Sequence, residues 1–215
     1  MNRLIVLTVG ALGALATAAP VAGQGLVGAI GFSAGSARSR SQLGSTAEVL
    51  SGTMVGGEGR VGIGRVTLDF TYLQGALKPD TGSAESRDYV EGDALLSVVT
   101  APGLTLRVGP HARAYISSTG TQRWLFWTAR VRGERTLIAP AVSGFVEFWA
   151  ALSGDVNVSE AFGSARGGLV GMSVRPPNSL FYGRLTYGIE HAKMGGGARL
   201  ETVEGVSLLL GFGRR

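Results

Sequence analysis

The chain has 215 residues and a formal net charge of +5, a length that suits one domain or two small ones. Its 35 glycines follow no every-third-residue register, which excludes collagen, and 45% hydrophobic against 16% charged residues excludes a disordered chain. There is no cysteine, so disulfide scaffolds, thiolate metal sites, cysteine nucleophiles and a lipid-modified cysteine anchor are ruled out.

The first residues read as an address. Met1 to Arg3 is a short positive start, Leu4 to Ala19 is an apolar run, and Val21-Ala22-Gly23 offers small residues for cleavage before Gln24. That is the pattern of a secretory signal peptide over residues 1–23, leaving 24–215 as the exported domain. The run is broken by Gly10 and Gly13 and ends at Pro20, too short for an anchor of about 20 apolar residues.

From Gly25 onward the apolar residues recur with period two, the signature of strands. Over 65–77, Val66, Leu68, Phe70 and Tyr72 alternate with Arg65, Thr67, Asp69 and Thr71. Over 88–98, Val90, Ala94, Leu96 and Val98 alternate with Tyr89, Glu91 and Asp93. Over 104–117, Leu104, Leu106, Val108, Ala112 and Ile116 alternate with Arg107, His111 and Arg113. Ile138 to Leu152 reads as one strand through Pro140, with Val146 and Phe148 on one face and Phe145, Glu147 and Trp149 on the other. Over 180–191, Phe181, Leu185, Tyr187 and Ile189 oppose Tyr182, Arg184 and Glu190. The second strand and the 124–132 strand alternate poorly. These faces run to about ten residues, the length that crosses a bilayer when tilted.

Turn signals fall between them in a long–short rhythm. A polar loop is expected near Ser36 to Ser45, a tight turn at Gly62-Ile63-Gly64 and a longer loop from Lys78 to Arg87. Thr100 to Gly103 should be short, Ser118-Thr119-Gly120 moderate, Arg132-Gly133-Glu134 short and Ser153 to Ser164 long. Pro176-Pro177-Asn178 should be short and Met194 to Gly197 moderate. The count is ten strands, with eight as the alternative. The expected fold is an all-β, antiparallel, up-and-down transmembrane barrel, closed so that no strand edge meets lipid, with short turns on the side of the chain ends.

A soluble barrel would cover its wet face with lysine and glutamate, yet of the 20 basic residues only Lys78 and Lys193 are lysine. Glycines and alanines also recur on the apolar face, where a soluble core wants bulk. With the faces reversed, Arg65, Arg107, Arg113 and Arg184 would meet lipid at about 2–4 kcal/mol each. The polar face therefore points inward.

The last strand alternates Val206, Leu208, Leu210 and Phe212, closing on an aromatic near the C-terminus. Here the sequence resembles the small outer-membrane β-barrel proteins of Gram-negative bacteria, a broad family related to the OmpA-like transmembrane domain. The resemblance spans the exported chain as pattern only. It implies an outer-membrane location among lipid and lipopolysaccharide, and a final strand read by the barrel-assembly machinery. Gly213-Arg214-Arg215 after Phe212 departs from the strict terminal-aromatic form.

The expected interior network is Arg65, Asp69, Glu91, Asp93, Arg107, His111, Arg113, Glu147, Arg184 and Glu190. Arginine and carboxylate in comparable numbers suit mutual pairing, because arginine's fork binds carboxylates bidentately and unpaired buried charge is costly. Ten strands about 4.8 Å apart, tilted about 40°, give a backbone diameter of about 20 Å, which such side chains largely fill. No catalytic residue, metal or cofactor is expected. Glu190 and His191, as strand neighbours, face opposite ways, and His111 sits between Arg107 and Arg113 on one face. Glu201 and Glu204 read as solvated carboxylates near the outer end, where Arg38, Arg40, Arg87, Arg123 and Arg199 could meet lipopolysaccharide phosphates. Export excludes nucleic acid as a partner. The expected role is structural or surface-interacting, with Ser153 to Ser164 as the contact loop. A narrow solute channel and a lipid-modifying barrel enzyme are the alternatives.

Overall fold

The structure, a computed structural model, describes residues 25–80, 85–138 and 140–214. The expected signal peptide and its cleavage site lie outside them. Ten strands follow one another: β1 (Leu26–Leu43), β2 (Thr46–Ile63), β3 (Val66–Pro79), β4 (Arg87–Ala101) and β5 (Leu104–Ser117), then β6 (Gly120–Ile138), β7 (Val142–Val156), β8 (Phe162–Val174), β9 (Phe181–Met194) and β10 (Arg199–Arg214). Each pairs antiparallel with its sequence neighbours, and β1 pairs with β10, so the sheet closes into a barrel with no free edge.

The register fixes the barrel's shape. Arg40 on β1 lies beside Thr202, and the row continues through His191, Arg166, Ala150, Ala129, Val108, Leu96, Leu68 and Val61. It returns to β1 at Gly28, 12 residues back from Arg40. A shift of that size over ten strands tilts them about 40° and gives a diameter of about 20 Å.

Alternation decides what each face meets. Outward positions carry Phe32, Phe70, Leu106, Phe148, Leu185 and Leu210, with Phe148 and Leu210 61% and 66% exposed. Val206, Leu208 and Phe212 on β10 also face out, and the Phe212 ring meets Phe181 edge-on at 5.2 Å. So much contiguous apolar surface is stable only against hydrocarbon. This closed antiparallel barrel with an apolar exterior is the architecture the sequence resembles.

The connections differ from the expected rhythm because the strands are longer. β1 runs on through Ser36, Arg38 and Ser41, since both faces turn polar there while backbone pairing to β2 and β10 continues. The β1–β2 link is only Gly44-Ser45, with Gly44 at φ +57°, a conformation glycine adopts without steric cost. The Arg132-Gly133-Glu134 turn is absent. Gly133 lies within β6 opposite Val146, and the break comes at Pro140-Ala141, where proline offers no N–H to a ladder. The long Ser153 to Ser164 loop shrinks to 157–161, between β7 and β8. The start of β1, the end of β10 and the links after β2, β4, β6 and β8 share one end, here called proximal; the other end is distal.

Candidate functional site

The lumen has two unlike halves. Toward the distal end, Leu50, Met54, Leu77, Tyr89, Tyr115, Trp124, Phe126, Trp149 and Met194 form one buried apolar cluster. Trp149 and Phe145 on β7 lie over Gly167 and Gly171 on β8, where an added Cβ would fall 2.5 Å from each ring. Tyr182 covers Gly211 on β10 in the same way. A large ring beside a bare backbone fills a narrow lumen without strain.

One charged string runs through this apolar half. The Arg113 guanidinium, only 2% exposed, pairs with Glu190 and, at 3.1 Å, with Glu201. It also stacks on the Trp124 and Tyr115 rings, 5.1 and 5.7 Å from their centroids. Tyr115 donates to Glu201 at 2.6 Å, with the Ser39 hydroxyl 3.0 Å beyond, and Tyr89 donates to Glu91. A buried arginine is tolerable only when its charge is balanced by nearby carboxylates in this way.

Toward the proximal end the charges surround a cavity of about 100 Å³, space for several waters. Asp69 accepts from Ser97 at 2.5 Å and pairs with Arg60 and, at 3.1 Å, with Arg107. Arg107 reaches Glu147 at 2.7 Å. Arg130 pairs with Asp93 and lies 3.6 Å from Glu147, while Thr71 donates to Asp93 at 2.9 Å. Arg107 and Arg130 stand directly opposite each other across β5 and β6, a like-charge pair that is unfavourable alone. Glu147, which both reach, and Asp69 and Asp93, one beside each, offset it. Arg132 lies 3.7 Å above the Phe145 ring and 3.0 Å from Glu134.

Across the seam, Glu58 on β2 pairs with Arg184 and accepts from Tyr182 at 3.0 Å, both on β9. These bonds pass over β10 and β1, whose inward residues there include Gly211, Gly31 and Ser33. At the proximal mouth Arg175 donates to the Gly213 carbonyl at 2.8 Å and lies 4.9 Å from the Tyr182 ring.

Of the ten residues expected inside, nine face the lumen, in two groups. Asp69, Asp93, Arg107, Glu147 and Arg184 line the cavity; Glu91, His111, Arg113 and Glu190 lie at the level of the apolar cluster. Arg65 does not join them. It belongs to the exposed Gly64-Arg65 turn, because β3 begins only at Val66. His111 is not in an electropositive setting: its Nδ1 is 2.9 Å from Asp93 and its Nε2 3.7 Å from Glu190, with Phe126 stacked on its ring. Glu201 is not a solvated surface group, since its inward position on β10 buries it against Arg113. Arg87 and Arg199 also turn inward, to Glu48 at 2.7 Å and Glu160 at 3.7 Å.

Glu58, Arg60, Arg130 and Arg132 were not singled out from the sequence. Their strands, β2 and β6, hide the alternation, β2 behind Gly56, Gly57, Gly59 and Gly62, and β6 with large apolar residues on both faces. Strict parity counted from Trp124 would have found Arg130 and Arg132.

Glu91, Asp93 and His111 bring ligand atoms within 4.8 Å of one another. Arg130 and Thr71 already hold Asp93, and Tyr89 holds Glu91, so both carboxylates are already engaged within the protein.

No protein-family model matches the chain, and no curated protein matches it in sequence. Among solved structures it is similar to the translocator domain of autotransporter NalP from Neisseria meningitidis, with 14% identity, 88% of each chain covered and a TM-score of 0.46. It is also similar to an outer membrane channel from Pseudomonas putida F1, with 8% identity over 91% of this chain and 99% of that one, TM-score 0.43. The attachment invasion locus protein Ail of Yersinia pestis shares 13% identity over 87% of this chain and 98% of that one, TM-score 0.35.

Proposed function

We propose that the chain is an exported, non-enzymatic outer-membrane barrel with a structural or surface-interaction role, which does not conduct solutes. One observation carries this reading: the lumen is filled. Apolar side chains from Leu50 to Met194 occupy its distal half, with the Arg113 string embedded among them. The proximal half holds mutually paired charges around a small cavity. A solute entering from the proximal mouth would have to displace Trp124 and Phe126, both without exposed surface. The apolar exterior and the signal-peptide pattern support the outer-membrane location, and the alternating final strand supports delivery by the barrel-assembly machinery. The strands hold the distal links at 157–161 and 195–198, and loops on a rigid scaffold are where contacts are usually made.

Planar-bilayer recording of the refolded barrel tests this reading. A silent bilayer is expected. Discrete, reproducible openings would replace it with the narrow-channel reading. Lipid A mass spectra unchanged by overexpression are expected as well, and a new modification would favour the enzyme.

A further inference from the structure

We infer that the outer wall formed by β8, β9, β10 and β1 carries, at the distal edge of the apolar belt, a binding row for phosphorylated lipid headgroups. The inference rests on the reading of the chain as a membrane barrel.

The register sets the row. Arg166 lies beside His191, His191 beside Thr202, and Thr202 beside Arg40, on four successive strands. All four face outward, and Lys193 stands two residues distal to His191 on the same face. Neighbouring strands are about 4.8 Å apart, so Arg166 and Arg40 bracket a span of about 14 Å, wide enough for a headgroup with two phosphates.

The position along each strand matters as much as the row. On β9 the outward column is Phe181, Leu185, Tyr187 and Ile189 before it becomes His191 and Lys193. On β8 it is Val174, Met172 and Val170 before Arg166, and on β1 it is Ile30, Phe32 and Ala34 before Arg38 and Arg40. On each strand the basic group begins where that strand's apolar column stops, and with the strands tilted about 40° the row slants, Arg40 standing about 9 Å farther distal than Arg166. Of the expected phosphate-binding arginines, Arg87 and Arg199 point into the lumen and Arg123 stands on β6, off this wall, while Arg166, His191 and Lys193 join Arg38 and Arg40 here.

Little on this wall neutralises the row. Glu204 is the carboxylate facing out beside it, and it is engaged by Arg38 at 3.9 Å and by Tyr187 at 3.3 Å. Arg38 is turned further toward Asp80, at 3.3 Å. Glu190 and Glu201, next along their strands, turn inward to Arg113. Arg40, Arg166 and Lys193 make no ion pair among the described residues. The His191 ring engages Thr202 through Nδ1 at 2.9 Å, which leaves Nε2 for an outside group. Arginine's fork suits phosphate, and each basic group near a charged leaflet adds to the attraction.

The test reconstitutes the full exported barrel in phosphatidylcholine nanodiscs doped with bisphosphorylated lipid A or with the same lipid stripped of phosphate. Retained lipid is read by native mass spectrometry, and insertion is checked by heat-modifiable gel mobility. Wild type should retain the phosphorylated lipid about tenfold better, and Arg40→Gln with Arg166→Gln should erase most of that preference. Arg166→Lys should keep most of it. Arg123→Gln, outward on β6 across the barrel, should leave it unchanged. Equal retention of the two lipids, or an equal loss in Arg123→Gln, would overturn the row. Displacement of the lipid by excess inorganic phosphate would assign the row to free anions instead of headgroups and overturn the proposal. A wild-type chain that never inserts would instead overturn the membrane reading, and the row with it.

Discussion

Arg113 on β5 and Arg184 on β9 both close ion pairs inside the barrel with carboxylates from other strands, yet their surroundings differ. The Arg113 side chain is 1% exposed, pressed between aromatic rings, and shares Glu190 and Glu201. Arg184 keeps 16% exposure at the rim of the cavity and binds Glu58. The same chemistry is thus held without solvent in one half of the lumen and with water at hand in the other. Burial, more than bond count, should set what each pair contributes, because an orphaned charge can be rehydrated only in the proximal half.

The sharpest way to break this comparison is Arg113→Glu. It replaces a guanidinium with a further carboxylate beside Glu190 and Glu201, and should lower stability by about 3–5 kcal/mol or more. The midpoint of urea unfolding, followed by gel mobility, reads it, and adding Glu201→Arg should recover part of the loss. A drop no larger than that of Arg184→Gln would dissolve the contrast. Next comes Leu77→Ala, a fully buried side chain in the distal cluster, expected to cost about 2–5 kcal/mol by leaving a hole. Arg184→Gln should cost less, about 1–3 kcal/mol, since water can solvate the Glu58 it abandons. On the outer wall Val108→Thr should be mildest, about 0.5–2 kcal/mol for a hydroxyl turned to lipid.

Labelling sharpens the same contrast without an energy scale. The native chain has no cysteine, so single replacements report cleanly. A cysteine at Thr186, which lines the cavity, should react with a charged thiol reagent. One at Phe126, buried in the distal cluster, should stay protected in the folded barrel. Equal reactivity at both positions would mean water fills the whole lumen.

Most of the barrel was legible because one surface is entirely apolar. Wherever a strand crosses the belt, period-two alternation separates Val108 from Arg107 and Phe148 from Glu147, and a one-residue slip would invert every face. Outside the belt that signal ends. β1 beyond Ala34 is polar on both faces, so its last turns read as a loop although hydrogen bonding continues. The same physics hid half the lumen. The distal interior is as hydrophobic as the exterior, so Trp124 and Leu125 carry no hydropathy contrast, and the apolar plug could not be told from lipid-facing surface. Nor could sequence reveal which charges meet, since Glu58 and Arg184 lie 126 residues apart.

The bonds from Glu58 to Tyr182 and Arg184 also bear on time. Closing the cylinder joins the first strand to the last, the pair most distant in the chain, and so the step with most chain entropy to overcome. The small inward residues of β1 let that strand slide into place over contents already packed. Once it is home, side chains reach from β9 to β2 above it and fasten it from within. Reopening then demands that the fastening break together with the whole β1–β10 ladder, so the joint should part rarely and, when it does, all at once.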